Sequence, residues 1–477
     1  MTSTTDRPWP GDAVSLVEAF RSGDHSPLEE LEATIAAIEA DQAAGDDGLN
    51  AVCHLDLDAA RAAAAAADVS LPFGGVPMGI KELDHVAGWP LTEGSVALAD
   101  RVAEFTQTKI DRLLDAGAVA VAQTTSSEFG GVNQTFTKLH GATRNPWGRA
   151  HTPGGSSGGS AAGVSGGLFT LATASDGGGS IRIPAGFCGL VGLKPTWGRV
   201  PRGPHVGPGN LTSVSGCVSR SVRDTARWFD VQNGFDPHDP LSLPRVEGWE
   251  AGLGSHAESL RGRRAAVVGD LGHAVVADET LAVVEEAASW LISALGLRRV
   301  EGVAAVRAPV GVWGMTGTVG LLAELGDRWP ERAADLTGPM RVGLERGSER
   351  WNLAAAARAE TERVALNEAM AALFAEADLV FAPTNPHTAF GADTRMPAEF
   401  GGKEASLGNH GALTIPANIY GNPAISIPIG TGSDGLPIGL QVMAPHHAEP
   451  LLLDVALTVE RERPWPLMAP GSSYSHS

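Results

Sequence analysis

Cysteine is scarce in this chain of 477 residues, and tyrosine is scarcer: three cysteines and two tyrosines stand against 13 phenylalanines and 11 tryptophans. Cys53, Cys188 and Cys217 lie far apart and form no C-x-x-C pair. This excludes a disulfide framework and points to a reducing, cytoplasmic compartment. Cys188, inside the apolar stretch FCGLVGL, reads as a packed core thiol. Positive charge is also short. Against 55 acidic residues there are 35 Lys and Arg, a formal net charge of −20, which argues against nucleic acid or an anionic membrane as partner. The longest apolar runs are broken by Gly, Ser or charge, so none reads as a membrane span. The opening MTSTTDRPWPG holds no apolar signal segment. The 14 histidines form no H-E-x-x-H and no spaced Cys/His set, and His446-His447 beside Pro445 read as a solvated turn. No metal and no cofactor is therefore expected.

What is present is a globular composition, 43% hydrophobic and 19% charged, in a chain long enough to bury a large core. Ser26-Pro27-Leu28-Glu29 is a capping-box opening with proline in the first turn, and Leu28, Leu31, Ile35 and Ile38 repeat at helical spacing. An alanine-rich helix follows near 57–68. Residues 75–81 read as a strand leading to Lys81. Residues 109–122 read as a helix and then the strand AVAVAQ, 158–167 as a small-residue helix, and 168–175 as a buried strand. The alternation continues with a strand at RRAAVVGD and a helix to about Leu295. Residues 311–376 are mostly helical, and 377–386 and 422–430 are strand-like. Strand–helix alternation of this kind predicts an α/β layer fold. The Pro- and Gly-rich loops at 200–210 and 391–409 are candidate substrate-facing edges.

Residues 150–182 concentrate the chemistry. They hold two glycine-cradled serine turns, GGSSGG and DGGGSIR, joined by an apolar run. Upstream, Lys81 stands in GVPMGIKELD among Met78, Ile80 and Leu83. A serine hydroxyl needs a base beside it to act as nucleophile. A lysine can be that base only when neutral, which burial favours. Two serines and a buried lysine can supply nucleophile, proton relay and base without histidine. Gly177, Gly178 and Gly179 force a tight turn, and the successive N–H groups of 177–180 are candidates for an oxyanion hole. Gly155-Ser156-Ser157-Gly158-Gly159 also satisfies G-x-S-x-G, which would make Ser157 the nucleophile of an α/β-hydrolase elbow, but RNPWGRAHTP, not an apolar strand, precedes it.

These segments resemble the amidase signature family of serine hydrolases. The matching pieces are GIKELD around Lys81, TTSSEFG at 124–130, RNPW at 144–147, PGGSSGGSAAG at 153–163, the run SDGGGSIRIPAGFCGLVGLKPTWGRVPR at 175–202, SRSVRDTA at 219–226 and TIPANIYGNPAISIPIG at 414–430. Three features depart from the family pattern: Glu82 after the lysine, Gly177 within the serine turn, and Trp197 in place of a common tyrosine. The resemblance implies one large mixed central β-sheet covered by helices on both faces. It implies a single domain over 1–477, with N-terminal helices at 1–70, the signature core at 71–230, a variable helical cover at 311–376 and the C-terminal part of the sheet at 377–477.

It also implies roles. Lys81 falls on the family's catalytic lysine, Ser156 on its relay serine, reached through a cis Gly155–Ser156 peptide, and Ser180 on its nucleophile. Gly177, Gly178 and Gly179 fall on the oxyanion turn. Asp176, Arg182 and Ser157 are expected as structural support, with Ser157 and Ser160 bracing the loop or capping the following helix. The activity implied is metal-free and cofactor-free hydrolysis of C–N bonds in carboxamides, aryl amides and carbamates (urethanes) through an acyl-enzyme. The expected partner is a small-molecule amide or carbamate, with no nucleic acid and no membrane; a homodimer stays open. Two alternatives are kept: an esterase using Ser157, and the amidase subunit of a glutamine-dependent tRNA amidotransferase. Against the second, Gly411-Ala412 stand where an acidic residue would hold the glutamine amino group.

Overall fold

A computed structural model describes residues 7–205, 211–308, 310–470 and 472. Eleven strands form its two large sheets: β1 (Val52–Leu55), β2 (Pro77–Lys81), β3 (Val119–Thr124), β4 (Leu171–Asp176), β5 (Gly192–Lys194), β6 (Val214–Ser219), β7 (Arg264–Val267), β8 (Arg298–Arg299), β9 (Leu379–Pro383), β10 (Ala424–Thr431) and β11 (Pro437–Met443). One sheet has the order β1-β3-β2-β4-β6 and the other β8-β7-β9-β11-β10-β5. The antiparallel bridge Val191–Ser219 joins their inner edges. Pairing is mixed: β2 runs parallel to β3 and β4, whereas β1 and β6 are antiparallel to their neighbours.

Side-chain alternation along the strands divides the core. Met78, Ile80, Leu171, Ile425, Ile427, Leu440 and Val442 face one continuous apolar cluster, closed by helices Ala13–Ser22, Val222–Gln232, Asp278–Ala294 and Glu449–Glu462. The opposite face packs Ala172, Ala174 and Val218 against helices Pro27–Ala43 and Gly158–Gly166. On the second sheet the same side packs Ala424 and Met443 against helix Leu353–Glu376. Helices thus cover both faces, and the fold is the mixed α/β sheet expected.

Helix Pro27–Ala43 starts at its Ser26 N-cap, as the capping box predicts. Its stripe is narrower than expected, because Leu31, Ile35 and Ile38 are buried but Leu28 is 44% exposed in the first turn. The alanine-rich helix runs only over Leu57–Ala65. The loop at 391–409 carries a small hairpin, Glu399–Phe400 with Lys403–Glu404. Of the loop at 200–210, residues 206–210 lie outside the described residues. The histidine pair is not a free turn: His446 Nε2 bonds to the Tyr420 carbonyl and His447 Nδ1 to Arg199. The stretch 311–376, expected as a helical cover, holds the α-helices Val310–Leu325, Gly338–Arg350 and Leu353–Glu376. Gly311 of the first helix lies beside the carboxylate of Glu362 on the third.

Candidate active site

Because β2, β3 and β4 are parallel, their carboxyl ends meet at one edge. Ligands bind at this edge in open α/β sheets. It holds Lys81, Thr124 and Asp176, each the last residue of its strand. Lys81 is fully buried. Its backbone N–H donates to Thr173 Oγ1 at 2.7 Å, and Thr173 donates in turn to Asp84 Oδ2 at 2.6 Å. Its Nζ lies 2.8 Å from Ser156 Oγ, 2.8 Å from Ser157 Oγ and 3.0 Å from Ser175 Oγ. Burial pushes the amine down to about 7; the charge of Asp84 opposes the shift and that of Lys109 adds to it. Lys109 is itself paired with Asp84, so this charge is fixed close by. A neutral amine has two protons and one lone pair. Among three hydroxyl neighbours, one contact must then run from a serine O–H to nitrogen.

Ser156 is reached through a cis Gly155–Ser156 peptide. Its carbonyl accepts from the Ser127 N–H at 3.2 Å. Glycine is needed in this loop because the chain is pressed on all sides. A Cβ at Gly155 would lie 2.6 Å from the Val132 carbonyl oxygen, and one at Gly158 2.1 Å from Thr135 Oγ1. Ser157 occupies the N-cap position of helix Gly158–Gly166 but makes no capping bond. Of the two roles expected of it, capping is absent; its hydroxyl meets Lys81 and, at 3.4 Å, the backbone N–H and carbonyl of Ser175. Ser160 is a brace: its hydroxyl donates to the Thr173 carbonyl and meets Thr124 Oγ1.

The second serine turn is held peptide by peptide. Asn418 Nδ2 donates to the Asp176 carbonyl at 2.8 Å, Trp313 Nε1 to the Gly177 carbonyl at 2.9 Å, and Thr414 Oγ1 to the Gly178 carbonyl at 2.6 Å. The Ile183 N–H donates to the Gly179 carbonyl at 2.7 Å. In a trans peptide the N–H points opposite to the carbonyl, so each anchor also aims the next amide. The Gly179 N–H donates to Asp176 Oδ1 at 2.7 Å. Among the described residues, the N–H groups of Gly177, Gly178 and Ser180 have no protein acceptor. The donor set expected at 177–180 is therefore corrected: the Gly179 amide serves the turn. Gly179 has φ +126°, in the left-handed region.

Asp176 and Arg182 form a fully buried pair, with Nη2 and Nε each 3.0 Å from the carboxylate. Burial alone would raise the Asp176 carboxyl, but the charge and hydrogen bonds of Arg182, with Asn418, hold it well below the usual carboxylate range. Ser180 sits one residue past the turn, 6% exposed, and among the described residues its hydroxyl makes no hydrogen bond. The structure thus joins Lys81 to Ser156 and places Ser180 on the adjoining turn, without a bond from Ser180 to Ser156.

Several contributors are silent in the sequence. Glu82 is buried; its Oε1 accepts from the Ser126 N–H at 2.5 Å and its Oε2 meets His140 Nε2 at 2.9 Å. Cys53 joins this pair, and the three offer ligand-type atoms within 4.8 Å of one another. The Glu82 carboxylate is already satisfied there by Ser126, His140 and Thr92. Glu128 ties the core to the cover: Ser95 bonds to one carboxylate oxygen, and the amide and hydroxyl of Thr337 to the other. Lys194 is a second fully buried lysine, also brought to about 7 by burial and by Arg182 against Asp176; its Nζ donates to the Pro195 carbonyl.

The family model described as Amidase matches residues 31–312 and 322–453. The chain is 35% identical over 475 residues to one of the subunits of the glutamyl-tRNA(Gln) amidotransferase of Synechococcus sp., covering 92% of this chain and 94% of that one. It is 32% identical over 480 residues to an acylamidase of Rhodococcus erythropolis, covering 97% of both. Among solved structures, a bacterial aryl acylamidase of the amidase signature family superposes with a TM-score of 0.88 at 28% identity, over 98% of this chain and 99% of that one.

Proposed function

The chain belongs to the amidase signature family of amidohydrolases, and from that premise we propose that it cleaves carboxamides, aryl amides and carbamates with Ser180 as nucleophile, Ser156 as relay and Lys81 as base. One observation carries this reading: a fully buried, hydroxyl-ringed lysine amine lies 2.8 Å from Ser156, beside a turn whose amides at Gly177, Gly178 and Ser180 are aimed and, among the described residues, unpartnered. Neutral Lys81 accepts the Ser156 proton as Ser156 accepts that of Ser180. The Ser180 oxygen bonds to the carbonyl carbon, and the charge that develops on the carbonyl oxygen meets the three amides. The proton returns through Ser156 to the leaving nitrogen, the C–N bond breaks, and water repeats the sequence on the acyl-enzyme. Hydrogen bonds such as Ser180 to Ser156 often form only once substrate is bound.

The cover brings apolar side chains to this edge. Trp313 lies against Gly178, and Met340 against Gly131. These walls favour a neutral or aromatic substrate. A second reading has a specific warrant, the likeness to the amidotransferase chains. On it, the chain would hydrolyse glutamine. Gly411-Ala412 work against it, because they bring no carboxylate beside the Gly178 carbonyl, 3.5 Å from where a Gly411 Cβ would stand.

The test is covalent labelling. A fluorophosphonate should modify Ser180, located by peptide mass mapping, and Lys81→Ala should abolish the adduct. An adduct on Ser157 that persists in Lys81→Ala would replace this reading with the elbow esterase, and fast glutamine hydrolysis would favour the amidotransferase reading.

A further inference from the structure

Trp313 comes from the cover, yet it touches the turn at its most consequential peptide. Its indole N–H is the hydrogen bond that holds the Gly177 carbonyl. The 177–178 peptide is planar, so that bond sets the direction of the Gly178 N–H on the opposite side. The neighbouring planes are held from within the core, by Asn418, Thr414 and the Ile183 amide. Among the described residues, only this one is held from helix Val310–Leu325. The contact is tight: a Cβ on Gly178 would stand 2.8 Å from Trp313 Nε1. Glycine at 178 is therefore the space the indole occupies. Trp313 is fixed in turn by its helix, whose Val312 and Met315 share an apolar cluster with Ala359 and Leu366 of Leu353–Glu376.

We infer that Trp313 is a positioning residue for the oxyanion hole, and that the cover helix Val310–Leu325 completes the catalytic apparatus as well as walling the substrate. The inference rests on the reading in which Ser180 is the nucleophile. It gives the cover a second role. Displacing that helix frees the 177–178 peptide to rotate, which turns the Gly178 donor away from the developing charge.

Removing an oxyanion donor outright costs about a hundredfold to a thousandfold in rate. Leaving the donor present but unaimed should cost about tenfold to a hundredfold. The experiment compares the rates at which Ser180 is phosphonylated by two fluorophosphonates, one with a methyl chain and one with a long alkyl chain. The proteins are the wild type, Trp313→Phe, and the enzyme carrying the benzothienyl analogue of tryptophan at 313. The analogue keeps the indole shape and replaces N–H with sulfur, so it separates the hydrogen bond from packing and from any folding defect in Trp313→Phe. The expected result is an equal fall in rate for both probes, with the analogue as slow as the phenylalanine variant. An unchanged rate with the analogue, or a fall confined to the long-chain probe, overturns the inference and leaves Trp313 as a pocket wall. Absence of a Ser180 adduct in the wild type is a different failure, that of the underlying reading.

Discussion

Lys81 Nζ and Ser156 Oγ stand 2.8 Å apart with no solvent on the lysine, and the consequences of that contact are open to titration. Burial, with Lys109 adding to it and Asp84 opposing it, brings the amine to about 7. Only the neutral amine can accept the serine proton. As pH falls through 7 the base is protonated and lost, so log kcat/KM should fall by about one per pH unit below 7 and be level above it. The profile is measured with para-nitroacetanilide. An acid limb near pH 4 would assign the ionisation to a carboxylate.

Ser156 and Ser157 both touch Lys81, but only one of them lies on the proposed proton path. Ser156→Ala should lower the rate of Ser180 labelling by about a hundredfold to ten-thousandfold, the usual span for a lost acid–base group. Ser157→Ala removes one neighbour of the amine and should cost about tenfold or less, since two hydroxyls remain. Reversal of that order would make Ser157 the functional serine.

Asp176 and Arg182 are wholly buried together, so their prediction concerns stability. Asp176→Asn keeps the shape and leaves the guanidinium charged among the neutral acceptors Gln441 and Asn418. Breaking a buried pair from one side costs about 3–5 kcal/mol. Urea unfolding should show a loss of that size. A change of less than about 1 kcal/mol would mean that Gln441 and Asn418 suffice for Arg182.

The parts of this site legible in the sequence are those whose chemistry is local. Glycines flank Ser156 and precede Ser180 in short motifs, and the apolar neighbours of Lys81 announce a buried amine. The meeting of Lys81 with Ser156 is a property of strand order, and the family resemblance supplied it. Capping preference points Ser157 at the helix it precedes, but the Gly159 amide in that first turn already donates to the Thr125 carbonyl, and the Ser157 hydroxyl meets Lys81. Counting successive amides gave four donors at 177–180; Asp176 removes one, and no spacing rule reveals that. Trp313, Glu82 and Glu128 were illegible because their partners lie on other elements. Leu28 matched the helical period but fell in the first turn, where the core has not yet begun.

The serine turn itself offers the sharpest contrast. Gly177 is the unusually small residue of that motif, and Gly179 follows two places on. Gly179 has φ +126°, and a Cβ there would lie 2.4 Å from Thr414 Oγ1 and 2.6 Å from Ile183 Cδ1. Gly177 is not in the left-handed region, and its Cβ would meet only Ser213, at 2.9 Å from a hydroxyl that can rotate away. An L-residue forced into a left-handed conformation pays about 1–2 kcal/mol, and displacing Thr414 frees the Gly178 carbonyl. Gly179→Ala should therefore abolish Ser180 labelling and lower the thermal midpoint, whereas Gly177→Ala should keep the fold and label at a rate within about tenfold of wild type. Equal damage from both would mean that the Gly177 side of the turn is as tightly packed as the Gly179 side, and that the small residue at 177 is required by the turn.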